Sequence, residues 1–495
     1  MSACIFFSFI LTGQDAAVNS SDVSAGNANN AASTSIRLSE SNSTAQNIPT
    51  VEDMIADLKN SDRRICGKAI NELAKIGEQS VQPLIDVLSD ESIRPWAVEA
   101  LGKIGDKRAV DPLFPLLSDA HFEVRVQAAT ALGLLGDTRV SDPLFALLQD
   151  REMSVRDAAA LALGSFGDER ALPALIDILR WNFQQERERM RQTKSRERRD
   201  KNKAYAITIK FGKTAVDYLI PVLSDDDYSV CMTGSQALTE IGAPSVERLI
   251  IELSENSNAN ARLSAASALG KIGDRRAIDS LTKAVKDPNQ IVRIFAINAL
   301  RKFSDELTVG ILIDALRQDS KEVSEAAVSS LISIGEPAVI PLINCLQDDN
   351  DALRENVLKA LVGIPDPRAI EPLVTLLSEI ERNWVISCLA AEALRKIGSP
   401  AVESLIVALK NPDETTRFAA AMTMRNINDQ RIIEPLIVAL KDSSAKVRYV
   451  AAQSLGYNDD VRVIPALEAA LNDDNETVRR YAQEALDLIK KEAIK

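Results

Sequence analysis

The most regularly spaced ionisable residues in this sequence are an aspartate and, a few residues later, an arginine. The aspartates are Asp90, Asp119, Asp150, Asp225, Asp287, Asp348, Asp442 and Asp473. The arginines are Arg94, Arg125, Arg156, Arg262, Arg293, Arg354, Arg417, Arg448 and Arg479. Carboxylates in a row offer an ion-binding ladder, since oxygen ligands suit hard cations. The plainer chemistry is structural: aspartates cap loop backbone, while guanidinium forks bridge successive turns and satisfy loop carbonyls. Cys66, Cys231, Ser324 and Ser387 stand where the arginine is expected, so the ladder should be interrupted there.

Other reactive residue types are sparse. The chain has one histidine, His121, in Ala120-His121-Phe122, with no Glu after it. A site built on several imidazoles cannot be made from one; His121 is expected to face solvent as a helix cap. The five cysteines, Cys4, Cys66, Cys231, Cys345 and Cys388, form no CxxC pair, so metal-ligand spacing is absent. Cys345 falls at a core position and is expected to pack as a small hydrophobe. There is no Gly-rich phosphate loop after a strand, no nucleophile elbow and no Cys–His pair. No catalytic, metal or cofactor residue is therefore assigned, and no cofactor is expected.

One stretch carries concentrated charge. Residues 181–203 hold nine Lys/Arg against four Asp/Glu, a local +5 inside a chain of net charge −13. Arg187, Arg189, Arg191, Arg196, Arg198 and Arg199 could dock an acidic partner, a polyanion or an anionic membrane surface. The alternative is a solvated helical arm held by spaced pairs such as Glu186–Arg189.

These residues are positioned by one element, written many times. Residues 110–136 read as an apolar helix, a polar break and a second apolar helix. With Leu113 as marker, the counterparts are Met54, Leu84, Leu144, Leu175, Leu219, Leu249, Leu281, Leu312, Leu342, Leu373, Leu405, Leu436 and Leu467. Twelve of the thirteen gaps between markers lie between 29 and 32, and the other, 44, contains the basic stretch. A fixed period marks a solenoid, in which each hairpin buries its apolar faces against its neighbours. The helix carrying the marker is called B and the one after it A. Pro83, Pro112, Pro143, Pro341, Pro372 and Pro435 fall in the first turn of B, where a missing N–H costs nothing. Gly77, Gly105, Gly136, Gly167, Gly212, Gly242, Gly273, Gly335 and Gly398 close A in a left-handed conformation. Gly102, Gly133, Gly164 and Gly270, inside A, leave room for a neighbouring helix. Cys66 and Cys231 lie five repeats apart, which excludes a disulfide between them.

Composition agrees with this reading. Apolar residues are 46%, charged residues 26% and aromatics only 4%. The core must therefore be aliphatic. A negative chain with few stacking rings excludes a typical nucleic-acid binder, which needs a cationic track. Residues 3–11 are apolar but too short to span a bilayer, and no Lys or Arg precedes them. Residues 1–13 are expected to be a truncated or atypical export signal, and residues 14–50, rich in Ser and Asn, a disordered linker. The sequons Asn19-Ser20-Ser21 and Asn42-Ser43-Thr44 lean the same way. Export or surface attachment is thus expected, with a cytoplasmic protein as the alternative.

The pattern PLIxLLxD…VRxxAAxALGxIGDxRA resembles HEAT repeats, in the short variant shared with phycobilin-lyase-like proteins. Good copies are Asp86–Ala109, Leu249–Ala277 and Asp442–Gly456, and the resemblance covers roughly residues 51–495. It implies an all-α, right-handed α-solenoid of about fourteen hairpins, with a basic helical insertion at 181–203 and B helices lining a concave face. It also implies a structural role for the Asp/Arg rows. On that face, the row two before each marker is largely acidic, and the row five after it carries Lys59, Arg180, Lys286, Arg317, Lys410 and Lys441. Helix dipoles explain both rows without a ligand. The row two after each marker includes Ile251, Thr375, Val407, Val438 and Ala469, a candidate shallow groove for a peptide or helix. The function expected is a non-enzymatic scaffold binding another protein or peptide, with oligomeric state undetermined. The rival is an enzyme resembling bilin lyases or the di-iron deoxyhypusine hydroxylase, disfavoured by the single histidine.

Overall fold

The structure is a computed structural model and describes residues 49–180, 194–317, 320–425, 427–457 and 460–492. The expected segments at 1–13 and 14–48, and most of the basic stretch, lie outside these residues.

One repeat shows how the sequence makes the hairpin. Asp106 accepts a hydrogen bond from the Arg108 backbone N–H at 2.9 Å, which starts a 3-10 turn over Lys107–Ala109. Helix B follows as Val110–Leu113 and tightens to 3-10 geometry over Phe114–Ser118. Pro115 explains the tightening, because it cannot donate to the α-helical ladder; Pro221 does the same in Ile220–Ser224. After a short turn, helix A runs from Phe122 to Leu135 and stops at Gly136.

The same hairpin recurs along the described chain, which is helical throughout with no strand among the described residues. The fourteen marker residues all point inward: the thirteen leucines are fully buried and Met54 nearly so. The most extensive packing between repeats is A helix against A helix. Small residues set that spacing. A Cβ added to Gly270 would stand 2.5 Å from the Ala299 Cβ, and one on Gly102 2.7 Å from that of Ala131. These glycines are in the helix because the next helix occupies the space where their side chain would be.

All nine closing glycines have positive φ, but they fall into two kinds. Gly105, Gly136 and Gly273 are left-handed, with ψ between 13 and 26°. Gly77, Gly242, Gly335 and Gly398 have ψ between −125 and −135°. Loop length separates the two kinds. The first lie eight residues before their marker leucine and carry an Asp next, whereas the second lie seven before it. With one residue fewer, the chain must reverse at the glycine itself, in a region closed to side-chain-bearing residues.

The long gap is filled by a longer A helix, Lys194–Lys210, after a B helix that ends at Arg180. Its C-terminal half packs like any other A helix: Ala204 and Thr208 are buried, and the Tyr205 hydroxyl donates to Glu240 at 2.8 Å. The last described helix, Glu476–Glu492, turns Arg480, Gln483, Glu484 and Asp487 to solvent. Among the described residues no single helix is long and apolar enough to cross a membrane.

Candidate interaction surface and the ionic ladders

The Asp/Arg rows interlock between repeats rather than within them. Arg125, at the start of one A helix, reaches Asp150 of the next repeat with Nε at 2.8 Å and Nη2 at 2.9 Å. Its remaining nitrogen, Nη1, donates to the carbonyls of Asp119 and Ala120. One planar fork thus ties two repeats and satisfies a loop. Arg262 grips Asp287, Arg417 grips Asp442, and Arg448 grips Asp473 in the same two-pronged way. Arg94 meets Asp119 through one nitrogen at 2.8 Å. Both groups of the Arg125–Asp150 pair are about nine-tenths buried. The guanidinium holds the Asp150 carboxyl below its ordinary range, and the Asp473 carboxyl is lowered by Arg448 in the same way. The bridges join the B–A turns of successive repeats. The span is 25 residues, because the start of one A helix abuts the B–A turn of the following repeat.

The aspartates also accept from loop backbone two residues on. Asp287 accepts from the Asn289 N–H, and Asn289 is the residue that caps helix A. Asp348 serves Asn350 likewise. Arg156, Arg293 and Arg479 show the local half of the role among the described residues, donating to the carbonyls of Asp150, Asp287 and Asp473. The acid position opposite Arg293 falls at 318–319, outside the described residues. Arg354 meets Glu379 instead of an aspartate, through a single contact at 2.6 Å. The longer side chain breaks the fork, leaving Arg354 Nε and Glu379 Oε2 buried without a hydrogen-bond partner, with Arg382 3.8 Å from that oxygen.

The four interruptions are compensated in two ways. Cys66 and Cys231 each donate the thiol to the carbonyl that the arginine would hold, Asn60 at 3.2 Å and Asp225 at 3.0 Å. At Cys231 the next acid is also gone, replaced by Asn256; after Ser387 it is replaced by Asn411. At Cys66 and Ser324 the acid stays, and a cation five residues past the marker takes it. Lys59 meets Asp90 at 3.0 Å, and Arg317 meets Asp348 at 2.7 Å.

A second ladder went unrecognised in the sequence although its pattern, GDxRA, was visible. Arg108, Arg139, Arg170, Arg276, Arg368, Arg431 and Arg462 each fold back on the Asp two residues earlier. Most of them then reach an acid in the preceding repeat. Arg139 is 3.3 Å from Asp111, Arg170 2.9 Å from Asp142, Arg276 2.8 Å from Glu247, and Arg431 3.0 Å from Glu403. Much of the acidic first-turn row on the B helices is therefore paired by its own fold.

Other site expectations fare unevenly. His121 faces solvent, 60% exposed, and precedes helix A, yet its side chain makes no capping bond. Instead Asp119 accepts from the His121 N–H at 2.8 Å. Cys345 is half-buried rather than a core residue, and Leu346 beside it takes the core place. Cys66, Cys231, Cys345 and Cys388 form no disulfide among the described residues. Among the described residues, no three His, Cys, Asp or Glu side chains are grouped to hold a metal. Arg187, Arg189 and Arg191 lie outside the described residues, while Arg196, Arg198 and Arg199 fall on the helix Lys194–Lys210.

The B-helix row two past the marker is exposed where its residues are apolar: Ile251 at 44%, Val407 at 72% and Val438 at 68%, with Thr375 and Ala469 also exposed. Two aromatics on the same helices were missed. Phe114 and Phe145, one residue past their markers, are about two-fifths exposed. The signal was a Phe where other repeats carry Ile. Arg170 stacks over Phe145 at 4.6 Å, and Phe114 borders a cleft of about 280 Å³ with Asp111, Pro115 and Arg139.

A family model described as HEAT repeats matches residues 51–120, 110–192, 216–293, 281–343, 341–406 and 402–487. No curated protein sequence matches the chain. Among solved structures it is similar to Kap121p, with 13% identity and a TM-score of 0.40, over 89% of this chain and 65% of that one. The chain thus spans about two thirds of the length of that relative. It is also similar to importin beta, at 13% identity and a TM-score of 0.42, over 89% of this chain and 74% of that one. Human deoxyhypusine hydroxylase matches at 21% identity and a TM-score of 0.23, over 57% of this chain and 98% of that one.

Proposed function

The chain belongs to the HEAT-repeat family, and from that premise we propose that it is a non-enzymatic scaffold that binds a protein or peptide along its B-helix face. One observation carries the reading. The charged rows are largely spent on each other, whereas Ile251, Val407 and Val438 stand open to solvent on the B helices. Exposed apolar residues on a rigid repeated face favour a partner with an apolar stripe of its own. Many weak contacts along a long flank then supply affinity. We place the repeats in the short, phycobilin-lyase-like variant, with the B helices concave, and read residues 51–495 as one solenoid. The basic stretch 181–203 serves as a second contact for an acidic partner, and residues 1–50 as an export signal with its tether.

The enzyme alternatives suffer from chemistry rather than from shape. A di-iron site that draws on several His-Glu pairs cannot be assembled around the single His121.

The test is photo-crosslinking in native extract, with the reactive residue placed at Ile251 or Val407 and, on an A helix, at Leu134. Partner adducts from the B-helix positions support the reading. Adducts from Leu134 alone overturn it. A chain lacking 183–200 that retains every adduct removes the role of the basic stretch.

A further inference from the structure

We infer that the C-terminal B helices form a site for an extended acidic segment with an apolar side chain at every third residue. This rests on the scaffold reading and names the chemistry of its partner. Helices Val402–Ala408 and Ile433–Ala439 lie side by side, tied by Arg431, which bonds Glu403 at 3.0 Å and the Ser399 carbonyl at 2.8 Å. The preceding B helix is tied in turn by Ser404 to Glu371 at 2.7 Å.

Each helix repeats one face. Glu403, Val407 and Lys410 are spaced i, i+4, i+7, as are Glu434, Val438 and Lys441. That spacing sets the three on a single stripe. Glu403 is paired by Arg431, and Arg462 lies close enough to Glu434 for its charge to be felt. The valines are exposed.

The lysines differ from their counterparts elsewhere. Lys59 and Arg317 hold the aspartate of the next repeat. Here that aspartate is already taken: Asp442 by Arg417 and Asp473 by Arg448. Lys410 and Lys441 are exposed, and among the described residues neither has an ion-pair partner. The patch is therefore apolar, with two lysines that among the described residues no acid holds. Ser378 and Asn472 continue its lysine row, and Thr375 and Ala469 its valine row; its own acids are Glu403 and Glu434, and exposed Glu468 stands beside Ala469.

Spacing selects the shape of the occupant. Packed helices lie about 10 Å apart. A polyproline II chain rises about 3.1 Å per residue and turns every three residues. Its residues i and i+3 thus share a face and match Val407 and Val438. An acid beside each apolar residue then meets Lys410 and Lys441.

The probe is an end-labelled peptide of four Leu-Pro-Glu units, followed by fluorescence anisotropy against the full-length protein. Wild type is expected to bind, and a Leu-Pro-Lys peptide is not. Lys410→Gln with Lys441→Gln should weaken binding about tenfold, and Lys410→Glu with Lys441→Glu should abolish it. Val407→Ser with Val438→Ser should weaken it comparably. All four side chains are exposed, so far-UV circular dichroism should be unchanged. Raising salt from roughly 0.05 to 0.5 M should weaken binding through charge screening. Failure of wild type to bind, undiminished binding by the Lys→Glu protein, or equal binding of the Lys peptide overturns the inference. In the first case, crosslinks from Ile251 would leave the scaffold reading standing; crosslinks from Leu134 alone would end both.

Discussion

At the scale of single residues, burial decides which ion pairs matter. Arg125 and Asp150 are nearly closed off from water, so removing the arginine strands a carboxylate and two loop carbonyls. Arg125→Ala should lower unfolding free energy by about 2–3 kcal/mol, since breaking a buried pair leaves an uncompensated charge. Arg125→Lys should recover little, because an ammonium cannot reproduce the fork. Urea denaturation checks both; Arg139→Ala, on an exposed pair, should leave the midpoint unmoved. Protonation tests the carboxylate side. Asp150 and Asp473, gripped in the buried forks by Arg125 and Arg448, are held below the ordinary carboxylate range, Asp473 down to about 2 from 3.8. A pKa lower in the folded state adds stability that is complete above the unfolded value and lost as pH falls through the folded one. The thermal midpoint should stay level down to about pH 4 and then drop steeply toward about pH 2. A fall that begins well above that window would show that other groups govern. The rows themselves were legible as recurring Asp and Arg. Their pairing was not, because a 25-residue offset means nothing until the start of one A helix is known to abut the next repeat.

At the scale of elements, the closing glycines and the short first turn of each B helix were readable from punctuation alone. The two glycine conformations were not sought, though a count of seven or eight residues to the marker leucine separates them. The count has a consequence. Gly105, with φ 79° and ψ 13°, sits where asparagine is tolerated, whereas Gly242, with φ 78° and ψ −133°, does not. Gly105→Asn should cost well under about 1 kcal/mol, and Gly242→Asn about 2 kcal/mol or more, because only glycine occupies that region without strain. Comparison of the two thermal midpoints decides it. The inner glycines make a sharper case. In Gly270→Ala the new methyl would meet Ala299 at 2.5 Å and its Cα at 2.6 Å. Backbone cannot yield as a side-chain tip can, so a loss of about 1–3 kcal/mol is expected. Adding Ala299→Gly removes the Cβ contact but leaves the Cα at 2.6 Å, so it should restore little, and a double-mutant cycle reads that small coupling directly.

At the scale of the whole molecule, a solenoid holds together only through neighbours, so each seam matters more than any distant contact. The seams are not equal. Among the described residues five carry a buried Arg–Asp tie, but those spanning Cys231 to Asn256 and Ser387 to Asn411 have lost both partners. At the first, neutral bonds stand in: Asn256 and Asn258 donate to Ser224, and Ser235 to the Ser264 carbonyl. Losing the pair together avoids a stranded charge, which is why the fold tolerates it. It also removes a geometric lock, because a two-pronged fork fixes the angle between repeats and a single neutral bond does not. Hydrogen exchange in the native state should therefore find amides at the starts of helices Tyr228–Ile241 and Trp384–Ile397 opening before their equivalents at Arg125, Arg417 and Arg448. Restoring the tie is the stronger test. Cys231→Arg together with Asn256→Asp should slow exchange on both sides of that seam, whereas Cys231→Arg alone should not. The single change buries a cation with no acid to meet it. Equal gains from the single and double variants would mean that packing, not the ionic fork, sets where this solenoid bends.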